Sequence, residues 1–240
     1  MGQDGAEGIW RHSAERELAR YGEFRLTVVE PPFPAGADVL PDHDPVRARE
    51  VAEALGTVAG VLGEVSRIEA VERMPFGTRA DLDLVGIGCW GGLTEINDPA
   101  LAYPGGEFPL ANLAEEVSRR HPAAVVIGSA TVDQHATHHT QVIHHPDGTR
   151  LFASGWAGEG DWDLAGAPRE IAVAFGVGAD ELEERGVDLD AEPGDLDWAG
   201  LARAALRSVS PLLRTGRTLS VFRVRRDGRT AGDLEETWID

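Results

Sequence analysis

Lysine is missing from this chain of 240 residues: all 22 basic side chains are arginine. That absence excludes a Walker lysine, a Schiff-base lysine and a lysine general base, and with them whole classes of enzyme. Cysteine is nearly as scarce, and the single thiol, Cys89, excludes an internal disulfide and any zinc site built on several thiolates. Aromatic residues make up only 6% of the chain, and no apolar run approaches the length of a membrane-crossing helix. The opening residues 1–16 are acidic and glycine-rich with no apolar stretch, so no signal peptide is expected, and Ala6 spoils the myristoylation pattern that Gly2 begins. These absences together predict a soluble, cytoplasmic protein.

Positive charge is also in short supply, with 41 acidic residues against the 22 arginines and a net charge of −19 when histidine is neutral. A field of that sign repels nucleic acid and anionic membrane at long range, and it either steers a basic protein partner or keeps the chain soluble. Arginine in place of lysine, beside abundant alanine, glycine and valine, reads as a coding bias; adaptation to salt gives a similar pattern. The C-terminal segment runs against the trend, with eight arginines from Arg203 to Arg229. In so acidic a chain these are expected to pair internally with carboxylates, with a small anion site as the other reading.

Histidine is what the chain has in excess. Five of its eight histidines, His135, His138, His139, His144 and His145, fall within eleven residues. On a helix, His135, His138 and His139 would share a face and chelate a metal. The β-branched Thr137, Thr140, Val142 and Ile143 favour a strand instead, on which His139 and His145 point one way and His138 and His144 the other. Members of each pair then lie roughly 20 Å apart, too far for one ion to bridge. A metal site would need cross-strand ligands, and His135, His139 and Asp133 are the candidates for holding a divalent transition metal. Surface histidines that titrate together near neutral pH are the competing reading, and buried neutral ones with depressed pKa values are a third.

Three further patterns approach a motif and stop short. Glycines at 86, 88 and 91 fit G-x-G-x-x-G after an expected strand, but Pro99 and Pro104 stand where the phosphate-binding helix should run, so close packing of a strand end is the alternative. Glu159, Asp161, Asp163 and Glu170 fit positions of a calcium loop whose required central glycine is Leu164. Cys89 reads as a small buried filler unless a histidine base approaches it.

Hydrophobic periodicity predicts strands at 24–30, 65–74, 82–90 and 123–132, helices at 46–63 and 112–121, a β-hairpin over 142–156 around a Pro-Asp-Gly turn, short helices at 168–176, 179–186 and 198–209, and a last strand at 218–226. Asp44 and Pro45 supply a cap and first turn for the helix at 46–63. The segment 65–74 has mixed periodicity and also fits a helix end. The order gives an α+β fold: a mixed or antiparallel sheet with flanking helices, containing a ferredoxin-like β-α-β-β-α-β portion and a hairpin extension. No repeat or long linker interrupts residues 1–240, so a single domain is expected, with residues 1–20 flexible.

The words FASGW at 152–156, GDWDL at 160–164 and PREIA at 168–172 sit in a tract, 144–190, that resembles an uncharacterised family of actinobacterial domain-of-unknown-function proteins, mainly over the C-terminal half. The resemblance implies a bacterial cytosolic protein and transfers no catalytic residue. Without a complete catalytic motif, the residues favour a non-catalytic, acidic partner-binding protein of the regulatory or immunity kind. Its contact surface would draw on Asp161, Asp163, Asp188, Asp190, Asp195 and Asp197. The alternative is a metal-dependent hydrolase or oxygenase using the histidines of 135–145.

Overall fold

The computed structural model describes residues 9–33, 40–70, 72, 74–210 and 217–240. Nine strands, β1 (Tyr21–Val29), β2 (Gly60–Glu69), β3 (Leu84–Trp90), β4 (Leu93–Asn97), β5 (Val125–Asp133), β6 (Thr137–His144), β7 (Arg150–Trp156), β8 (Trp162–Ala165) and β9 (Thr218–Arg225), make one sheet in the order β2-β9-β3-β4-β1-β5-β6-β7-β8. Every neighbouring pair is antiparallel. Six helices flank it: α1 (Pro45–Ala54), α2 (Pro109–Arg120), α3 (Pro168–Ala174), α4 (Ala179–Glu184), α5 (Trp198–Val209) and α6 (Gly228–Trp238). The fold is therefore α+β with an antiparallel sheet, and among the described residues no helix is long and apolar enough to cross a membrane.

Alternation along each strand divides the sheet between two cores. On β1, Phe24, Leu26 and Val28 pack with Ala48 and Ala52 of α1, Leu110 of α2, and Ala231 and Leu234 of α6. Val29 turns the other way, into a core shared with Ile143 of β6, Ile171 of α3, Leu182 of α4 and Leu201 of α5. Helices α1, α2 and α6 thus cover one face and α3, α4 and α5 the other.

The ferredoxin-like portion is present, but through different strands from those expected. Its sheet order is β5-β1-β4-β3, with α2 carrying the chain from β4 across β1 to β5 and α1 lying on the way from β1 to β3. The short β4 went unread because Thr94 and Glu95 interrupt its apolar pattern. The expected second strand instead begins earlier, as β2, and leaves for the sheet edge beside β9. Val71 and Arg73, at the end of the segment expected there, lie outside the described residues.

Helix α1 starts where expected, with the Asp44 carboxylate accepting from Val46 N and Arg47 N, yet it stops at Ala54 and not near residue 63. Val58, Val61 and Leu62 have helical spacing, but the Ala59 N–H is taken by the Arg225 carbonyl, and Gly60 and Val61 pair with Arg225 and Val224. Strand pairing overrides local propensity there. The hairpin β6–β7 forms as expected, with Gly148 at φ +96° in its turn. Strand β8 lies between the expected hairpin and the helix expected at 168–176, where no element was predicted, and α6 follows Asp227 where no helix was expected. In α6 the buried positions Ala231, Leu234, Glu235 and Trp238 keep helical spacing, but a glutamate among them hides the apolar stripe.

That glutamate is fully buried and accepts from the backbone N–H groups of Arg11 and His12 and from Arg11 Nε, fastening the N-terminal segment to α6. Beneath α1 and α6 lies a second buried ionic group. Arg226, just beyond β9, meets Asp98, just beyond β4, through both Nη atoms at 3.2 and 2.8 Å, and neither side chain is solvent-exposed. The guanidinium also donates to the carbonyls of Leu82 and Thr57, while Asp98 accepts from Thr57 Oγ1 and Ala100 N. Every charge in the cluster is answered, which is the condition under which a buried pair is tolerated.

Asp98→Ala leaves the Arg226 guanidinium buried without its carboxylate, and urea unfolding should register a loss of about 3–5 kcal/mol. A loss under about 1 kcal/mol, the size of an exposed pair, would contradict this placement.

Candidate functional site

The histidine run folds as a strand, and its members divide between the faces. His138 and His144 are buried on the α2 face, where His138 stands edge-on to Trp156 at 5.0 Å and the His144 Nδ1 bonds the Ser118 hydroxyl of α2 at 2.8 Å. His139 faces the other way, stacked on Trp162, which itself stacks on Trp198. His135 is exposed in the turn before β6, and His145, just past the strand, packs on Phe175 and pairs with Asp147. Burial depresses His138 to about 4, with His139 adding a smaller effect, and burial also lowers His139 and His144.

Of the candidate metal ligands, Asp133 and His139 share a face two register steps apart, and the Asp133 carboxylate is taken by the Thr137 hydroxyl. Asp133 and Asp197 both act on His139 electrostatically, in the direction opposite to burial. Among the described residues, no three His, Cys, Asp or Glu side chains are placed to hold a metal ion.

The words FASGW and GDWDL serve this strand packing. Trp162 lies over Gly155, where an added Cβ would come within 2.5 Å of the indole, and its Nε1 donates to the carbonyls of Trp156 and Glu159. The same segment opens an acidic tract. From 159 to 197 there are thirteen carboxylates and two arginines, a net −11 out of the chain's −19. All thirteen but Asp197 are exposed, and both arginines are engaged, Arg169 with Asp190 and Arg185 with Glu181. Asp161, Asp163 and Asp195 have no side-chain bond among the described residues, whereas Asp188 accepts from Asp190 N and Asp197 caps α5 through Gly200 N. The near-match to a calcium loop falls on edge strand β8 and the start of α3.

Other near-motifs resolve into packing. An added Cβ at Gly86 would strike the Met74 sulfur, and one at Gly88 the Trp90 ring, so side chains fill the space over these glycines. Cys89 is fully buried, and burial pushes its thiol up, away from thiolate chemistry. A serine, a histidine and a glutamate do align near it. The Cys89 N–H donates to His43 Nδ1 at 3.2 Å, so the ring proton sits on Nε2 and is offered to Ser220 Oγ at 2.8 Å, while Ser220 donates onward to Glu64 at 2.9 Å. The imidazole therefore donates to the serine where a general base would accept, and Ser220 has no accessible surface. Of the C-terminal arginines, Arg203, Arg226 and Arg229 pair with Asp197, Asp98 and Glu107, and Arg223 and Arg225 are exposed; Arg214 lies outside the described residues.

Sequence reasoning missed the polar middle of the sheet. Strand β1 is fifth of nine and paired on both edges, yet its face toward α5 carries Arg25 and Thr27 beside Glu95 and Asn97 of β4 and Ser129 of β5. Arg25 Nε donates to Asn97 Oδ1 and forms an ion pair with Glu95 Oε1, each at 3.3 Å, and the Asn97 amide donates to the same Glu95 oxygen. The Glu95 side chain is 7% exposed and that of Arg25 32%. Two hollows open there, of about 350 Å³ toward Met74, Phe76 and Leu219, and of about 130 Å³ toward Ile127, Ala202 and Leu206; Glu23 and Arg25 line both. Among the described residues, neither Nη of Arg25 has a hydrogen-bond partner. The signal was present as Glu23 and Arg25 two residues apart in one strand, but its meaning depends on the sheet order.

The chain belongs to a family of unknown function (DUF6333), whose model matches residues 9–240 and so reaches well beyond the C-terminal half. No curated protein and no solved structure matches the chain.

The depressed histidines fix the sign of the pH response. A folded pKa below the unfolded one means that the unfolded state binds more protons between the two values. Stabilisation by neutral His138 is complete above about pH 6.5. It is lost as pH falls toward the folded value of about 4. Thermal melts from pH 8 to 4 should therefore show declining stability, with a shallower decline in His138→Gln; superimposable pH profiles would contradict the burial of this ring.

Proposed function

We propose that this protein is a non-catalytic binding protein of the regulatory or immunity kind, which takes a basic protein partner on the acidic layer formed by α3, α4 and their loops. The observation that carries this reading is the segregation of charge: more than half of the net negative charge lies on residues 159–197, almost all of it exposed. A general solubilising charge has no reason to concentrate on one tract, whereas a steering surface does. Asp161, Asp163, Asp188, Asp190 and Asp195 supply the contact charges, and Asp197 divides its role between the partner and its own helix.

Asp161, Asp163 and Asp195 can be changed together to asparagine without removing a cap or an ion pair. Proteins retained by the immobilised wild-type chain should elute between about 0.1 and 0.5 M salt, as screening predicts. The same proteins should fail to bind the triple variant. Retention indifferent to both salt and the triple change would overturn the proposal.

A second reading, a metal-dependent hydrolase or oxygenase built on the histidine run, draws on the approach of Asp133 and Asp197 to His139. Elemental analysis of tag-free protein distinguishes the two. The leading reading expects well below one equivalent of zinc, iron, copper or manganese, unchanged in His139→Ala, whereas stoichiometric metal lost in that variant would favour the enzyme.

A further inference from the structure

We propose that the polar trough on the α5 side of β1 is a binding site for a small zwitterion of the free α-amino acid class, its carboxylate held by Arg25 and its ammonium by Glu23. Arginine is the side chain best matched to a carboxylate, because its planar fork presents parallel N–H groups to both oxygens. Arg25 spends only Nε on Glu95 and Asn97, and that pair of contacts fixes the stem while both Nη atoms stay open. Ser129, directly across the register from Arg25, has no side-chain bond among the described residues and stands as a further donor.

The charges around the trough decide the ligand class. A simple anion at Arg25 would meet the carboxylates of Glu23 and Glu72 along the larger hollow, beside a Glu95 already paired with Arg25 and acted on by Arg217. A simple cation would meet the like charge of the Arg25 guanidinium and could use none of its Nη donors. A zwitterion satisfies both signs. Glu23 lies two residues before Arg25 on β1, hence on the same face, and its carboxylate has no partner among the described residues. The ligand's side chain then lies against apolar walls, Met74, Phe76 and Leu219 on one side or Ile127, Ala202 and Leu206 on the other. A hollow of about 350 Å³ is at the lower end of small-molecule sites. The site is independent of the acidic layer and stands or falls without it.

The test is calorimetric titration of the full chain with each of the twenty proteinogenic L-amino acids. The best binder is then compared with its deaminated carboxylic acid and its decarboxylated amine. At least one amino acid should bind saturably with one-to-one stoichiometry, and both truncated analogues should bind at least tenfold more weakly. Arg25→Gln should weaken the amino acid at least tenfold. Glu23→Gln, a change at an exposed side chain, should weaken the amino acid but leave the deaminated acid unaffected. Ser129→Ala gives a second route to the carboxylate end, with a smaller loss, should Arg25→Gln unfold. No saturable binding by any amino acid, equal binding of a truncated analogue, or unchanged affinity in Glu23→Gln would overturn the proposal.

Discussion

The ion pair between Arg226 and Asp98 is where the two ends of the fold meet. Four connections converge there: the exit from α1 at Thr57, the turn before β3 at Leu82, the exit from β4 at Asp98, and the junction of β9 with α6. The first two would otherwise bury the carbonyls of Thr57 and Leu82 without this donor, and the third a carboxylate without a counter-charge; one planar guanidinium from the fourth serves all three. Lysine, a point donor on a flexible stem, could not satisfy this geometry, so the arginine-only composition has a structural use here whatever its origin. Because β9 is inserted between β2 and β3, the pair also fixes the C-terminal strand into a sheet whose neighbours lie more than a hundred residues earlier.

From that fixed edge, alternation gives the two faces different characters. Under α1, α2 and α6 the sheet is largely apolar: the imidazoles of His138, His144 and His43 are hydrogen-bonded there, and the buried charges, Arg226 with Asp98 and Glu235 with Arg11, are paired. On the other face α5 covers β5 and β6, while Arg25, Glu95 and Asn97 carry charge and amide groups across β1 and β4. Arg226 spends every donor it has on buried acceptors, whereas the Nη atoms of Arg25 have no partner among the described residues. The contrast between two buried or half-buried arginines in one sheet is the physical basis for assigning one to stability and the other to binding.

Much of this was legible in the chain. The hairpin at 142–156 carried its turn chemistry in Pro-Asp-Gly, α1 carried its cap at Asp44, and the β-branched residues among the histidines announced a strand and the division of its imidazoles between faces. The failures have definite causes. Val58, Val61 and Leu62 satisfy a helical period and a strand alike, and only the partner strand β9, distant in sequence, decides between them. Glu235 and Glu95 are buried carboxylates, which disguise α6 and β4 as polar segments because their counter-groups, Arg11 and Arg25, cannot be matched to them in advance. The trough is illegible for the same reason: an arginine on a strand is ordinary at an edge and unusual in the middle, and strand order is a tertiary fact.

Guanidinium NMR measures the difference between the two arginines most directly. The Nη protons of Arg226 should give resolved signals with slow rotation about the Nε–Cζ bond and exchange limited by unfolding. Those of Arg25, identified by their loss in Arg25→Gln, should exchange rapidly with solvent while its Nε proton remains protected by Glu95 and Asn97. Equal protection of both guanidinium groups would contradict the account, since Arg25 would then have spent the donors that the trough holds open.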